Sequence, residues 1–263
     1  MSSPPNIMSG LAGQRVVITA GAGGIGLAIA RLLHGFGCRI ALCDVSETAL
    51  AAAATELPGV TVARADVSDE AEVGAFFGTA LEALGGLDAL INNAGIAGPT
   101  GGVEEIAVAD WKRCVDIVLT GQFLCTRLAV PHLKAAGGGS IVNMSSSAGR
   151  HGYAYRTPYS AAKFGVIGFT QSLAKELGPS KIRGNAILPG IVEGPRMEGV
   201  IRDRATTLGL PYEAVETTYL EKTSLRRMVT PEDVAGSIAF LLSDAGRNLS
   251  AMSFNVDGNV ETL

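Results

Sequence analysis

The chain has 263 residues, of which 47% are hydrophobic and 17% charged, with a formal charge of −4 and a mean hydropathy of +0.30. That length and apolar share are ample for one well-buried α/β domain. The acidic balance, with a pI near 5.5, argues against a nucleic-acid or membrane-surface partner.

Residues 1–13 are polar and proline-containing, without a signal core, and read as a flexible tail before a domain spanning 14–263. No apolar run is expected to reach membrane-spanning length. From there strands and helices alternate. Arg15 to Thr19 reads as a strand, Gly24 to Phe36 as a helix with Ile25, Ile29, Leu32, Leu33 and Phe36 on one stripe, and Arg39 to Cys43 as a second strand. Ser46 is a plausible cap for an alanine-rich helix ending at Glu56. Val60 to Arg64, Asp69 to Leu84 and Leu87 to Ile91 give strand, helix, strand. A long helix covers Asp110 to Ala135, and Pro131 is expected to bend or divide it. Ser140 to Met144 is a strand, Tyr159 to Leu177 a helix, Arg183 to Leu188 a strand, Pro231 to Leu242 a proline-opened helix and Met252 to Val256 a last strand. This alternation predicts a doubly wound parallel sheet, a Rossmann fold in a single domain with helices on both faces. Residues 194–227 are charged and helical without a strand, and are expected to form a substrate lid or specificity insertion.

The four cysteines, Cys38, Cys43, Cys114 and Cys125, make no C-x-x-C pair and read as buried free thiols in a reducing, cytoplasmic setting.

Thr19-Ala20-Gly21-Ala22-Gly23-Gly24-Ile25-Gly26 joins the first strand to the first helix. Gly21, Gly23 and Gly26 fit G-x-G-x-x-G in the strand-to-helix setting where free N–H groups bind a pyrophosphate. Asp44, at the end of the second strand, is placed to accept hydrogen bonds from ribose hydroxyls and to repel a 2′-phosphate. Val45 follows it and Gly23 occupies a position where arginine would serve NADP, so the expected cofactor is NAD.

Downstream, Tyr159 and Lys163 are four residues apart and share a helix face. An ammonium beside a phenol stabilises the phenolate, so such a pair can move a proton, and a nicotinamide can exchange the hydride without a metal.

Together these features resemble the short-chain dehydrogenase/reductase family, single-domain type, from Leu11 onward. Thr19, Gly24 and Gly26 match its T-G-x-x-x-G-x-G, with Ala20 in place of the first glycine. Asp66-Val67 resembles the pair that brackets adenine, and Asn92-Asn93-Ala94-Gly95 matches N-N-A-G, with Asn93 as a cofactor contact. Ser146, 13 residues before Tyr159, sits at the spacing of the family's catalytic serine. Pro189-Gly190-Ile191-Val192 resembles the segment whose backbone holds the carboxamide, which implies a contact at Val192. The resemblance implies that Ser146, Tyr159 and Lys163 are catalytic, that Gly21, Gly23, Gly24, Ile25, Gly26, Asp44, Asp66, Val67, Asn93, Tyr159, Lys163 and Val192 bind the cofactor, and that the protein is a homotetramer. Two positions depart from the family: Val118 stands where an asparagine organises a water leading to the lysine, and Gly194 approximates a missing threonine. Asp116, two residues away, points elsewhere on a helix and does not replace that asparagine.

Arg150, Arg156 and Arg196 are candidates to hold an anionic group on a small substrate, against the alternative of surface salt bridges. His151 has no assigned role. The expected function is NAD-dependent interconversion of a secondary alcohol and a ketone. Alternatives are a ketone or 3-oxoacyl reductase working in the opposite direction, or an NAD(H)-binding pseudoenzyme in which Val118 impairs turnover.

Overall fold

In the computed structural model, which describes residues 8–260, seven strands form one parallel sheet. They are β1 (Arg15–Thr19), β2 (Arg39–Asp44), β3 (Thr61–Arg64), β4 (Ala89–Asn92), β5 (Gly139–Met144), β6 (Ile182–Pro189) and β7 (Ser253–Val256), in the order β3-β2-β1-β4-β5-β6-β7. The helices are α1 (Gly24–Gly35), α2 (Glu47–Glu56), α3 (Glu70–Leu84), α4 (Val108–Val115), α5 (Gly121–Ala135), α6 (Thr157–Leu177), α7 (Pro195–Leu208), α8 (Tyr212–Leu220) and α9 (Pro231–Leu242).

Strands buried on both faces need unbroken apolar runs, and Val16-Val17-Ile18 supplies one at the centre of the sheet. Side chains alternate across it. Val16, Ile18, Val142 and Ile187 join a core with α1 and α9, whereas Val17, Leu90, Ile141 and Ile182 face α3, α5 and α6. Chain order reverses between β1 and β4, and the loops that leave their C-terminal ends meet at that switch point. Side-chain caps define several helix starts. Ser46 accepts the Ala49 amide, Asp69 accepts those of Ala71 and Glu72, and Thr230 forms a reciprocal box with Asp233.

The long helix corrects two expectations. It runs unbroken over Val108–Ala135, and Pro131 does not divide it. Pro131 and Arg127, four residues earlier, both lie on the exposed side, where water can take the carbonyl that a proline cannot bond. The irregularity is instead a π-helical turn at Asp116–Thr120, between α4 and α5. By length and composition alone this helix is also long and apolar enough to cross a membrane, contrary to the sequence expectation. Half of its most apolar window is packed inside the fold.

Residues 194–227 contain α7 and α8, which pack on each other around Ile201, Ala205 and Val215. Short bridges, Val192 to Val229 and Thr223 to Val260, tie the insertion to the sheet beside β6 and β7.

Candidate active site

The β1–α1 loop is held from below by Asn93. Its backbone amide and that of Ala94 both donate to Thr19 Oγ1 at 3.0 Å. The Asn93 side-chain amide donates to the carbonyls of Thr19 (3.1 Å) and Ala20 (2.9 Å). Asn93 therefore shapes the loop, with only Oδ1 left for a ligand. Ala20 adopts a φ of 48°, the left-handed conformation glycine would take most easily. A methyl group on Gly26 would stand 2.1 Å from the Ala20 carbonyl oxygen, so only glycine lets α1 start there.

Gly23 caps α1 without a side chain, and the N–H groups of Gly24, Ile25 and Gly26 open the helix without carbonyl partners. Space above Gly23 and Gly24 is open. Asp44 is held by the Ser46 amide (3.1 Å) and the Ala22 amide (3.3 Å), which fix its carboxylate beside this loop. Free helix-start donors and a fixed carboxylate suit a pyrophosphate and a ribose diol, so the residues present fit a dinucleotide. Asp66 lies two residues past the end of β3. Burial pushes its pKa up, but the Ser68 hydroxyl and amide outweigh that and leave it below the usual carboxylate range. Val67 is buried against Gly121 of the long helix, and Val192 lies half-buried beyond β6.

On the other side of the switch point, Ser146 follows β5 and its Oγ accepts the Ala148 amide at 3.2 Å, capping a short turn. Tyr159 lies in the first turns of α6 and Lys163 one turn further. The Lys163 ammonium is buried and donates to the Met144 carbonyl at 2.7 Å. Its Nζ lies 5.7 Å from the centroid of the Tyr159 ring. A methyl on Gly95 would come within 3.6 Å of that Nζ, so the N-N-A-G turn passes directly over the lysine. Ser145, next to Ser146, donates from Oγ to the Lys163 carbonyl at 2.8 Å.

A supporting layer went unread in the sequence. Asn92 donates to Asn143 Oδ1 (2.8 Å) and Thr126 Oγ1 (3.0 Å), and Asn143 donates to Thr170 Oγ1 (2.9 Å). This buried ladder locks the ends of β4 and β5 to α5 and α6. Its signal is an asparagine at or next to the end of each of two apolar strands.

Val118 sits in the π-helical turn, fully buried with Cys114 and Ala162 and against Ile96, Leu119 and Tyr159. Asp116 is exposed and accepts from the Thr120 hydroxyl at 3.5 Å, away from Lys163. Burial pushes the Cys114 thiol up, with Lys163 opposing.

The candidate arginines separate. Arg150 is exposed. Arg156 stacks its guanidinium 5.1 Å from the Tyr159 ring centroid and 5.4 Å from that of Tyr153, and bonds the Ala97 carbonyl. Arg196 falls in the first turn of α7, and its side chain lies outside the described residues. His151 is half-buried near Arg150. A separate cavity of about 680 Å³ opens at the opposite, N-terminal end of the sheet around Ser140, Arg183 and Arg247. It is lined by none of these site residues, and a ligand of an open parallel sheet belongs at the C-terminal ends of its strands.

Residues 19–260 match the family model described as enoyl-(acyl carrier protein) reductase. The chain is 40% identical over 245 residues to a cis-4-hydroxycyclohexanecarboxylate dehydrogenase of Sinomonas cyclohexanicum, covering 92% of this chain and 94% of that one. It is 36% identical over 253 residues to an NAD(+)-dependent 2-dehydro-3-deoxy-L-rhamnonate dehydrogenase of Sphingomonas sp. (strain SKA58), covering 96% and 97%. Among solved structures, an actinorhodin polyketide ketoreductase with NADPH superposes with a TM-score of 0.90 at 31% identity, over 97% of this chain and 100% of that one. The sheet order, the glycine loop, the Tyr159–Lys163 pair and these similarities together make the chain a member of the short-chain dehydrogenase/reductase family, an oxidoreductase of alcohol and ketone substrates.

Proposed function

We propose that the protein is an NAD-dependent dehydrogenase that oxidises a secondary hydroxyl on a small carboxylic acid. The observation that carries the reading is the buried Lys163 ammonium, anchored on Met144 and set against Tyr159 at the mouth of the dinucleotide cleft. When bound, the nicotinamide supplies the hydride-accepting carbon. Tyr159 takes the proton from the substrate hydroxyl, and Lys163 stabilises the phenolate that does so. Ser146 donates a hydrogen bond to the same substrate oxygen and steadies its developing charge. Asp44 selects NAD by repelling a 2′-phosphate, and no basic side chain follows it, since Val45 is next and 58% exposed. The names of the two dehydrogenase relatives support a hydroxy or oxo acid as substrate class.

The ketoreductase neighbour with NADPH supports the reverse reading, reduction of a ketone. Oxidation and reduction rates measured with NAD(H) and NADP(H) on 4-hydroxycyclohexanecarboxylates, sugar acids and their ketones separate the two. Preference for NADPH and ketone overturns the dehydrogenase assignment.

The assembly we propose is a homotetramer. Trp111 and Phe123 on the long helix, Phe164 on α6 and Met252 beside β7 are exposed apolar side chains that such contacts would cover. A reducing cytoplasmic location is proposed from the four free, buried thiols.

A further inference from the structure

We infer that Arg156 is the anchor for the substrate's carboxylate. The inference rests on the dehydrogenase reading and adds the residue that reads the substrate's charge. Arg156 lies three residues before Tyr159, at the cap of α6. The residue that aims it is strained. Tyr155 adopts a φ of 64°, a left-handed conformation rare for an aromatic side chain. Its carbonyl accepts the Gly101 amide at 3.0 Å, which ties this turn to the loop that follows β4. Backbone strain of this kind persists where surrounding contacts enforce it, and it concentrates at ligand clamps.

The guanidinium so placed is incompletely satisfied. One nitrogen bonds the Ala97 carbonyl, but Nε is buried with no acceptor. No ion pair includes Arg156 among the described residues. The groups around it are the phenols of Tyr153, Tyr159 and Tyr219 and the Cys114 thiol. A half-buried cation in such company lacks its counter-charge, and a planar carboxylate matches its fork of donors. A purely structural brace would account for the Ala97 bond, but not for the free Nε or the missing acid.

The insertion supplies the opposite wall. Tyr219 of α8 lies near Arg204 of α7 and near both Tyr153 and Arg156. Burial first, then Tyr153, pushes its phenol above the ordinary tyrosine value, so it stays a neutral hydrogen-bond donor beside an anion. Arg204 is exposed at this edge.

Calorimetric titration of cyclohexanecarboxylate and its neutral isostere cyclohexanecarboxamide, with and without saturating NADH, tests the assignment. Wild type should bind the carboxylate at least about tenfold more tightly than the amide. Arg156→Leu should erase that gap, and Arg156→Lys, which keeps the charge but loses the fork, should restore part of it. Tyr159→Phe should keep the gap, so a protein that discriminates the anion but turns nothing over contradicts the dehydrogenase reading and not the anchor. A gap that survives in Arg156→Leu, or is absent in wild type because neither probe binds or both bind alike, overturns the assignment.

Discussion

The Lys163 ammonium is bound to the carbonyl of Met144, the last residue of β5, at 2.7 Å. The sheet thus holds the lysine beneath Tyr159 before any ligand arrives, and catalysis and stability share one contact. Lys163→Met should lower turnover about 10²- to 10⁴-fold and leave the Met144 carbonyl with the Gln122 amide at 3.1 Å as its remaining side-chain donor, at about 0.5–1.5 kcal/mol. Steady-state rates beside urea unfolding check both. Loss of activity with unchanged stability would mean that the Met144 bond is dispensable.

Val118 fills an apolar pocket with Cys114 and Ala162. Val118→Asn places an amide there without a partner among those side chains, and should cost about 1–3 kcal/mol. An unchanged midpoint in thermal or urea unfolding would show that water or a backbone group already serves that position.

Asp44 is fixed by the Ser46 and Ala22 amides at the ribose end of the loop. Asp44→Ser combined with Val45→Arg replaces repulsion of a 2′-phosphate by attraction. The NAD-to-NADP ratio of kcat/KM should swing by about 100-fold or more toward NADP. A ratio that stays put would remove Asp44 from cofactor choice.

Arg15 grips Asp88 with Nη2 on Oδ1 (2.7 Å), Nε on Oδ2 (2.8 Å) and its backbone amide on Oδ2 (2.9 Å). The guanidinium hydrogen bonds outweigh burial and hold the Asp88 pKa below the usual carboxylate value. A depressed folded pKa gives stability that is complete above about pH 4 and lost as pH falls through the folded value. The stability difference between wild type and Asp88→Asn should therefore be level from neutral pH down to about 5 and close below about 4. With side-chain exposures of 25% and 30%, solvent keeps that difference near 1 kcal/mol. A difference that persists at pH 3 would assign it to packing.

The parts legible in sequence are those that depend on local spacing. Apolar runs such as Val16-Val17-Ile18, the Ser46 cap, the glycine loop and the Tyr159–Lys163 turn each carry their signal within a few residues. What escaped depends on distant partners. Nothing near Lys163 in the chain identifies Met144 as its acceptor, and the Asn92–Asn143 ladder spans 51 residues. Pro131 looked like a break because its cost depends on which side of the helix meets solvent. The π-helical turn at Asp116–Thr120 changes hydrogen bonding without changing composition. Three arginines looked equivalent until the fold exposed Arg150 and stacked Arg156 on Tyr159.

The central claim is that Tyr159 moves the substrate proton. The most direct measurement is the rate of NADH formation from cis-4-hydroxycyclohexanecarboxylate and related hydroxy acids by wild type and Tyr159→Phe, each with its NADH dissociation constant. The account predicts turnover by wild type, a loss of at least about 100-fold in the variant, and NADH affinity within a few-fold. A variant that retains turnover to within a few-fold would contradict it and assign the proton to another group.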